Sequence, residues 1–214
     1  MIAGGDGIGR NPPRQARTRL ARQAVIGAAR TLFVERGYQA TTIEAISDLS
    51  DVPPATVYRL FASKLGILKA LLDVSIAGDD QKASVSERPE VSALLAESDL
   101  AKLVSAFTDF VVAINIRTND VYRVLSNAAA SDIGAAALFA EYQKQRAQGQ
   151  RNIARRISRT KGLRPGLRER DVADMIHALM SPELFGLFVA DRGWTPERYQ
   201  KWLTETITHQ LTTL

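Results

Sequence analysis

The sequence predicts an all-α protein: a small N-terminal helix-turn-helix domain of three helices followed by a larger helical bundle, about nine helices in all. Two observations carry this. Apolar residues recur at steps of three and four along nearly the whole chain, and the strict apolar–polar alternation of half-buried strands is absent. Helix punctuation also brackets the periodic stretches, with Ser, Thr or Pro where they begin and Gly or Pro where they end.

In chain order, residues 1–16 are rich in Gly, Pro and Arg and read as a flexible basic arm. The run from Gly5 to Gly9 has no preceding strand and lacks the spacing of a dinucleotide fingerprint. From 18 to 36, Leu20, Ala24, Val25, Ala28, Leu32 and Phe33 recur at helical spacing, and Gly37 is the stop. A short helix opens at Thr41 or Thr42, where Thr41-x-x-Glu44 has capping-box spacing, with Ala45, Ile46 and Leu49 facing inward. The turn Ser50-Asp51-Val52 leads to Pro53-Pro54, and proline suits the first turn of a helix that ends near Phe61. Ser63 caps a fourth helix, with Leu65, Leu68, Leu71 and Leu72 on its buried face. The domain boundaries that follow are 17–76 and 77–214. In the second domain, helices are expected at about 98–116, 119–130, 132–161, 168–191 and 195–213. Gly162 and Pro165 stop the third of these, Pro182 kinks the fourth, and Thr195-Pro196-Glu197 opens the last.

Composition narrows the function classes. An apolar share of 45% supports a real core. No apolar run approaches the length of a membrane span, and the first ten residues lack a signal-peptide core, so a cytoplasmic protein without a membrane partner is expected. The absence of cysteine excludes disulfides, thiolate metal sites and a cysteine nucleophile. The only histidines, His177 and His209, are far apart and in no metal-binding spacing, so no enzyme activity, metal or cofactor is expected. Net charge is +5, and residues 10–75 hold ten basic against five acidic side chains. A basic segment of this kind attracts phosphate.

Residues 41–61 have the layout of two short helices joined by a tight turn, in which the second can lie in the major groove. Pro54, Ala55, Thr56, Tyr58 and Arg59 lie on its outer side, while Val57 and Phe61, four apart, look inward. Thr56 and Tyr58 offer hydroxyls, Arg59 can fork onto guanine or phosphate, and Lys64 is a point charge just past the junction.

The stretches RTLFVERGYQATTIEAI (30–46) and VPPATVYRLFASK (52–64) resemble the DNA-binding domain of the TetR family of transcriptional regulators over about residues 18–76. The landmarks are Leu32-Phe33, Gly37-Tyr38, Thr41-Thr42-Ile43 and the Thr56/Tyr58/Phe61/Lys64 series. The resemblance implies phosphate contacts by Thr42, Thr56, Tyr58 and Lys64, and base-facing roles for Pro54, Ala55 and Arg59. Asp51 stands where the family usually has glycine, a place Asp tolerates in the left-handed conformation. Pro53 stands where a capping Ser or Thr is usual, and Leu60 where an aromatic or His is common.

The resemblance further implies a homodimer on double-stranded operator DNA, joined through the last two helices, where Phe185, Phe188 and Trp202 are the candidate interface residues. Helix bundles hold apolar pockets with a few polar groups. Phe107, Phe110, Tyr122, Phe139, Tyr142, Met175 and His177 are the candidates for binding a small hydrophobic or amphipathic effector. Together these describe a ligand-responsive repressor. The other reading is an all-α interaction module that does not read DNA.

Overall fold

The computed structural model describes residues 14–78 and 89–212, and the expected arm at 1–13 lies outside them. Every regular element among the described residues is helical. The chain divides after Ile67 into two compact units.

In the first unit, α1 (Arg14–Ala40) already includes Arg14–Ala16, the end of the expected arm. It is interrupted at the expected stop, Gly37, whose φ of 80° glycine alone adopts freely. Val25, Ala29, Leu32 and Phe33 are buried on one stripe of α1, which packs on α2 (Ile43–Ser50) and α3 (Pro54–Phe61). The cap of α2 is Thr42, whose Oγ1 accepts from the Ala45 N–H at 3.1 Å. Thr41 does not form the expected capping box. It is buried, and its hydroxyl lies 3.2 Å from the carbonyl of Leu32 and 2.8 Å from that of Gly37. Leu49, expected to face inward, is 54% exposed. The buried residues of α2 are Ile43, Ile46 and Ser47, and Leu49 stands six residues past Ile43, rotated about 120° off that face. Ser47 instead serves the turn, its hydroxyl donating to the Val52 carbonyl at 2.7 Å. Asp51 adopts the left-handed conformation (φ 53°, ψ 34°), with its N–H on the Ser47 carbonyl. α4 (Lys64–Ala77) begins as expected, with Ser63 Oγ accepting from the Gly66 N–H at 3.0 Å. Leu68, Leu71 and Leu72 are buried there, and Leu65 is half-buried.

The second unit departs from expectation at three places. α5 (Pro89–Ala96) was not anticipated. α6 runs unbroken from Leu100 to Ala129 where two helices were expected. Residues 116–119 contain neither Gly nor Pro, and Thr118 keeps its hydroxyl on the Ile114 carbonyl within the same helix, at 2.9 Å. After α7 (Ile133–Ser158), the expected single helix 168–191 is two. α8 (Glu169–Leu179) ends at Met180. Ser181 is extended and caps α9 (Pro182–Gly186), accepting from the Leu184 N–H at 3.1 Å. Pro182 therefore starts a helix rather than kinking one, since a residue before proline disfavours the helical conformation. α9 continues into a π-helical turn, Leu187–Asp191. α10 (Pro196–Leu211) is capped by Thr195, as expected.

By length and composition, Glu169–Asp191 is apolar enough to cross a membrane, contrary to the sequence expectation. The break at Ser181 interrupts it, and Val172, Ile176, Met180 and Phe185 face a core shared with α6, α7 and α10.

Candidate nucleic-acid interface

The helix-turn-helix is set by two buried side chains of α3. Val57 is 0% exposed and Phe61 7%, and the guanidinium of Arg22 from α1 lies 4.9 Å from the Phe61 ring centre. Anchored on that face, α3 leaves Pro54, Ala55, Tyr58 and Arg59 exposed on the other, with Thr56 half-buried. Tyr58 is 48% exposed on this outer face. Pro53 supplies no side-chain cap, and its carbonyl accepts from the N–H groups of Thr56 (2.8 Å) and Val57 (3.1 Å). Thr42 is exposed at the head of α2. The arrangement offers hydroxyls, one guanidinium and small apolar contacts, with Arg14, Arg17 and Arg19 exposed at the start of α1. It suits a polyanion with a groove.

Lys64 departs from its expected place. Its Nζ donates to the carbonyls of Tyr38 (2.7 Å), Gln39 (3.3 Å) and Thr41 (2.9 Å), and lies 4.4 Å from the centre of the Tyr38 ring. The ammonium is turned into the domain, not out toward a phosphate.

Two further features escaped the sequence reading. Ala62 ends α3 at φ 65°, ψ −36°, with its N–H on the Tyr58 carbonyl (2.8 Å) and the Ser63 N–H on the Phe61 carbonyl (2.8 Å). That is a tight three-residue turn, strained for a residue with a Cβ. Gly66 follows, and a Cβ on it would stand 2.0 Å from the Phe61 carbonyl oxygen. Only glycine admits that approach. Neither has a sequence signal, because both depend on where α3 ends.

In the second unit six of the seven effector candidates fall into two groups, and His177 is linked to the second through polar side chains. Phe107 is a core residue, buried with Leu103, Ile157 and Ile176, and Phe110 and Met175 pack against the same core. Tyr122, Phe139 and Tyr142 form an aromatic cluster, with ring centres 5.6 and 5.7 Å from Tyr122. Burial pushes the Tyr142 hydroxyl up to about 12, and burial followed by the bond to Glu183 raises Tyr122 too. The Tyr122 hydroxyl donates to the Glu183 carboxylate and accepts from Gln143 Nε2 at 3.3 Å. Arg146 Nε reaches Gln143 Oε1 (3.1 Å), Nη1 the His177 carbonyl (3.1 Å) and Nη2 the His177 Nε2 (3.0 Å), while His177 Nδ1 meets Gln150 Oε1 (2.7 Å). Arg146, Gln150 and Glu183 were missed, although Tyr142, Arg146, Gln150 and Ile153 at steps of four and three are a legible inward stripe.

Of the three interface candidates, Phe185 belongs to the protomer core, 4% exposed and edge-on to Tyr199 at 5.3 Å. Phe188 and Trp202 are half-buried in an aromatic cluster with Trp194, at 4.7 Å from each other and 4.6 Å from Phe188 to Trp194. Leu187, beside them on the π turn, is 50% exposed.

An all-α chain whose first unit is a helix-turn-helix with an exposed polar second helix defines a class of DNA-binding folds. Residues 25–71 match the family model of bacterial regulatory proteins, tetR family. Over 76 residues, 36% of this chain, it is 37% identical to the HTH-type transcriptional regulator TcmR of Streptomyces glaucescens; the match spans 33% of that protein's length. Among solved structures it is similar to NalD, the secondary repressor of the MexAB-OprM multidrug efflux pump in Pseudomonas aeruginosa. That likeness has a TM-score of 0.65 and 19% identity, over 92% of this chain and 97% of that one. A transcriptional regulator from Saccharomonospora viridis, solved in complex with choline, aligns with a TM-score of 0.68 and 17% identity, over 91% of this chain and 98% of that one. These structural likenesses establish the fold.

Proposed function

We propose that the protein is a ligand-responsive transcriptional repressor that binds a pseudo-palindromic operator in duplex DNA as a homodimer and is released by a small hydrophobic or amphipathic effector. The observation that carries the DNA-binding part is α3, anchored by Val57 and Phe61 and presenting Pro54, Ala55, Tyr58 and Arg59 outward. In this reading Tyr58 and Thr42 hold phosphates and set register, while Arg59 reads a base edge. The effector part is supported by the aromatic cluster of Tyr122, Phe139 and Tyr142 beside the polar groups of Glu183, Arg146 and His177. That mix of apolar wall and few polar groups is what small organic ligands use. The choline complex of a protein with this fold points the same way. For release, the effector must bind the DNA-incompetent state more tightly, and DNA must weaken effector binding by the same factor, about 5- to 150-fold in typical systems.

The test is a competition titration at fixed salt against a library of variants of a duplex selected by the protein from a randomised pool. Tyr58→Ala is expected to weaken every variant alike. Arg59→Ala is expected to flatten preference at one position, by about 1–3 kcal/mol for a bidentate contact to guanine. A uniform loss with Arg59→Ala removes its base-reading role, and a wild-type protein that enriches no sequence removes the repressor reading.

A further inference from the structure

We propose that Lys64 serves DNA binding as a positioning residue: its ammonium clasps the carbonyls between α1 and α2, and so sets where Thr42 and the first turn of α2 stand beside α3. The inference rests on the reading that α2 and α3 face duplex DNA.

The need for a clasp begins at Gly37. Where α1 breaks there, the carbonyls that follow lose the regular donors four residues on, because Thr42 is extended (φ −106°, ψ 161°) and begins a new helix. Backbone acceptors left at a helix end take replacement donors from side chains or water. Thr41 serves the Leu32 and Gly37 carbonyls through its own hydroxyl. The carbonyls of Tyr38, Gln39 and Thr41 converge on one point, and Lys64 Nζ occupies it. An ammonium has three N–H donors and no acceptor, which matches three convergent oxygens. The Tyr38 ring beneath it, itself packed on Phe33 with ring centres 5.6 Å apart, adds the attraction of an aromatic face for a cation.

The clasp spans the helix-turn-helix. Lys64 follows directly on the tight turn that ends α3, and the carbonyls it holds lead straight into the cap of α2. One side chain therefore ties the entrance of the first helix to the exit of the second. A phosphate on Lys64 would have to compete with all three carbonyls. Thr42, exposed and already ordered as the cap, is the group the clasp presents.

The experiment uses the full chain and the selected duplex, with Kd measured across a salt series. A protein that loses one phosphate contact loses about 0.9 from the slope of log K against log salt. Lys64→Met, which keeps the stem and removes the charge, is expected to weaken binding about 10- to 100-fold at every salt, the scale of a hydrogen bond to a charged group, with the wild-type slope. Thr42→Val is expected to cost much less when combined with Lys64→Met than in wild type, because both act through one contact. A slope lowered by about 0.9, or strict additivity with Thr42→Val, overturns the proposal. Should Lys64→Met not fold, Lys64→Arg decides it. Arginine keeps the charge for a phosphate, but its planar fork cannot aim at three convergent oxygens. Loss of affinity in Lys64→Arg is expected, and wild-type affinity overturns the clasp. A wild-type protein that retains no duplex at low salt overturns the DNA-binding reading itself, a result distinct from any of these.

Discussion

A guanidinium can only donate hydrogen bonds, and that decides the state of His177. Arg146 Nη2 stands 3.0 Å from its Nε2, so Nε2 carries the lone pair, and Nδ1–H donates to Gln150 Oε1 at 2.7 Å. Burial first, and the positive charge of Arg146 second, hold the imidazole below its ordinary value, against weaker opposing pulls from Glu183 and Asp174. A histidine depressed in the folded state takes up its proton more readily when unfolded. Stability is therefore full above the ordinary histidine value of about 6.5 and falls as the pH drops through it toward the folded value. Melting temperature measured from about pH 7.5 to 5 is expected to fall for the wild type, and to fall less for His177→Asn. Parallel curves would remove His177 as a source of the pH dependence. At this scale the sequence was informative about residue type and poor about partners. That His177 is packed was legible from its neighbours Met175, Ile176 and Leu179. Arg146 and Gln150 lie about 30 residues away, and only the packing of α7 on α8 brings them to it.

Between elements, the junction from α3 to α4 concentrates two opposite constraints within five residues. Ala62 has a Cβ at a φ of 65° where glycine would be relaxed, and Gly66 lacks a Cβ where one would strike the Phe61 carbonyl. Ala62→Gly is expected to stabilise by about 1 kcal/mol, the typical cost of a side chain in left-handed backbone. Gly66→Ala is expected to destabilise by about 1–3 kcal/mol, as overpacked sites do. Denaturant midpoints check both, and a Gly66→Ala protein as stable as wild type would show that the junction can open. Helix ends governed by local chemistry were read well: Gly37, Asp51, Ser63 and Thr195 each do what their residue type dictates. Ends governed by contacts were not. At 116–119 the helix continues, and Asn119 Nδ2 reaches the Pro182 carbonyl of α9 at 2.8 Å.

For the whole molecule, the proposed dimer through about residues 168–213 needs a face that the protomer core has not already used. Phe185 is excluded from it by burial against Tyr199, whereas Leu187 and the half-buried Phe188 and Trp202 remain. Phe185→Ala is expected to cost about 3–5 kcal/mol of stability without changing the oligomeric state of the folded protein. Leu187→Glu is expected to shift a dimer toward monomer at micromolar concentration, because a carboxylate in a core-like interface is left unpaired. Sedimentation equilibrium separates the two effects, and a wild-type monomer would end the dimer proposal.

The all-helical class, the helix-turn-helix at 41–61 and the outward face of α3 were legible from the order of amino acids alone. Each is periodic or local: a 3.6-residue repeat and a capping residue act within one or two turns of chain. That Lys64 points inward, that Tyr122 meets Glu183 and that Phe185 is core emerged with the folded chain. These depend on groups brought together by the fold, 23 residues apart for Lys64 and Thr41 and 61 for Tyr122 and Glu183, and on which of several similar apolar or charged side chains reaches a given site first. Periodicity ranks them equally, whereas close packing leaves room for one.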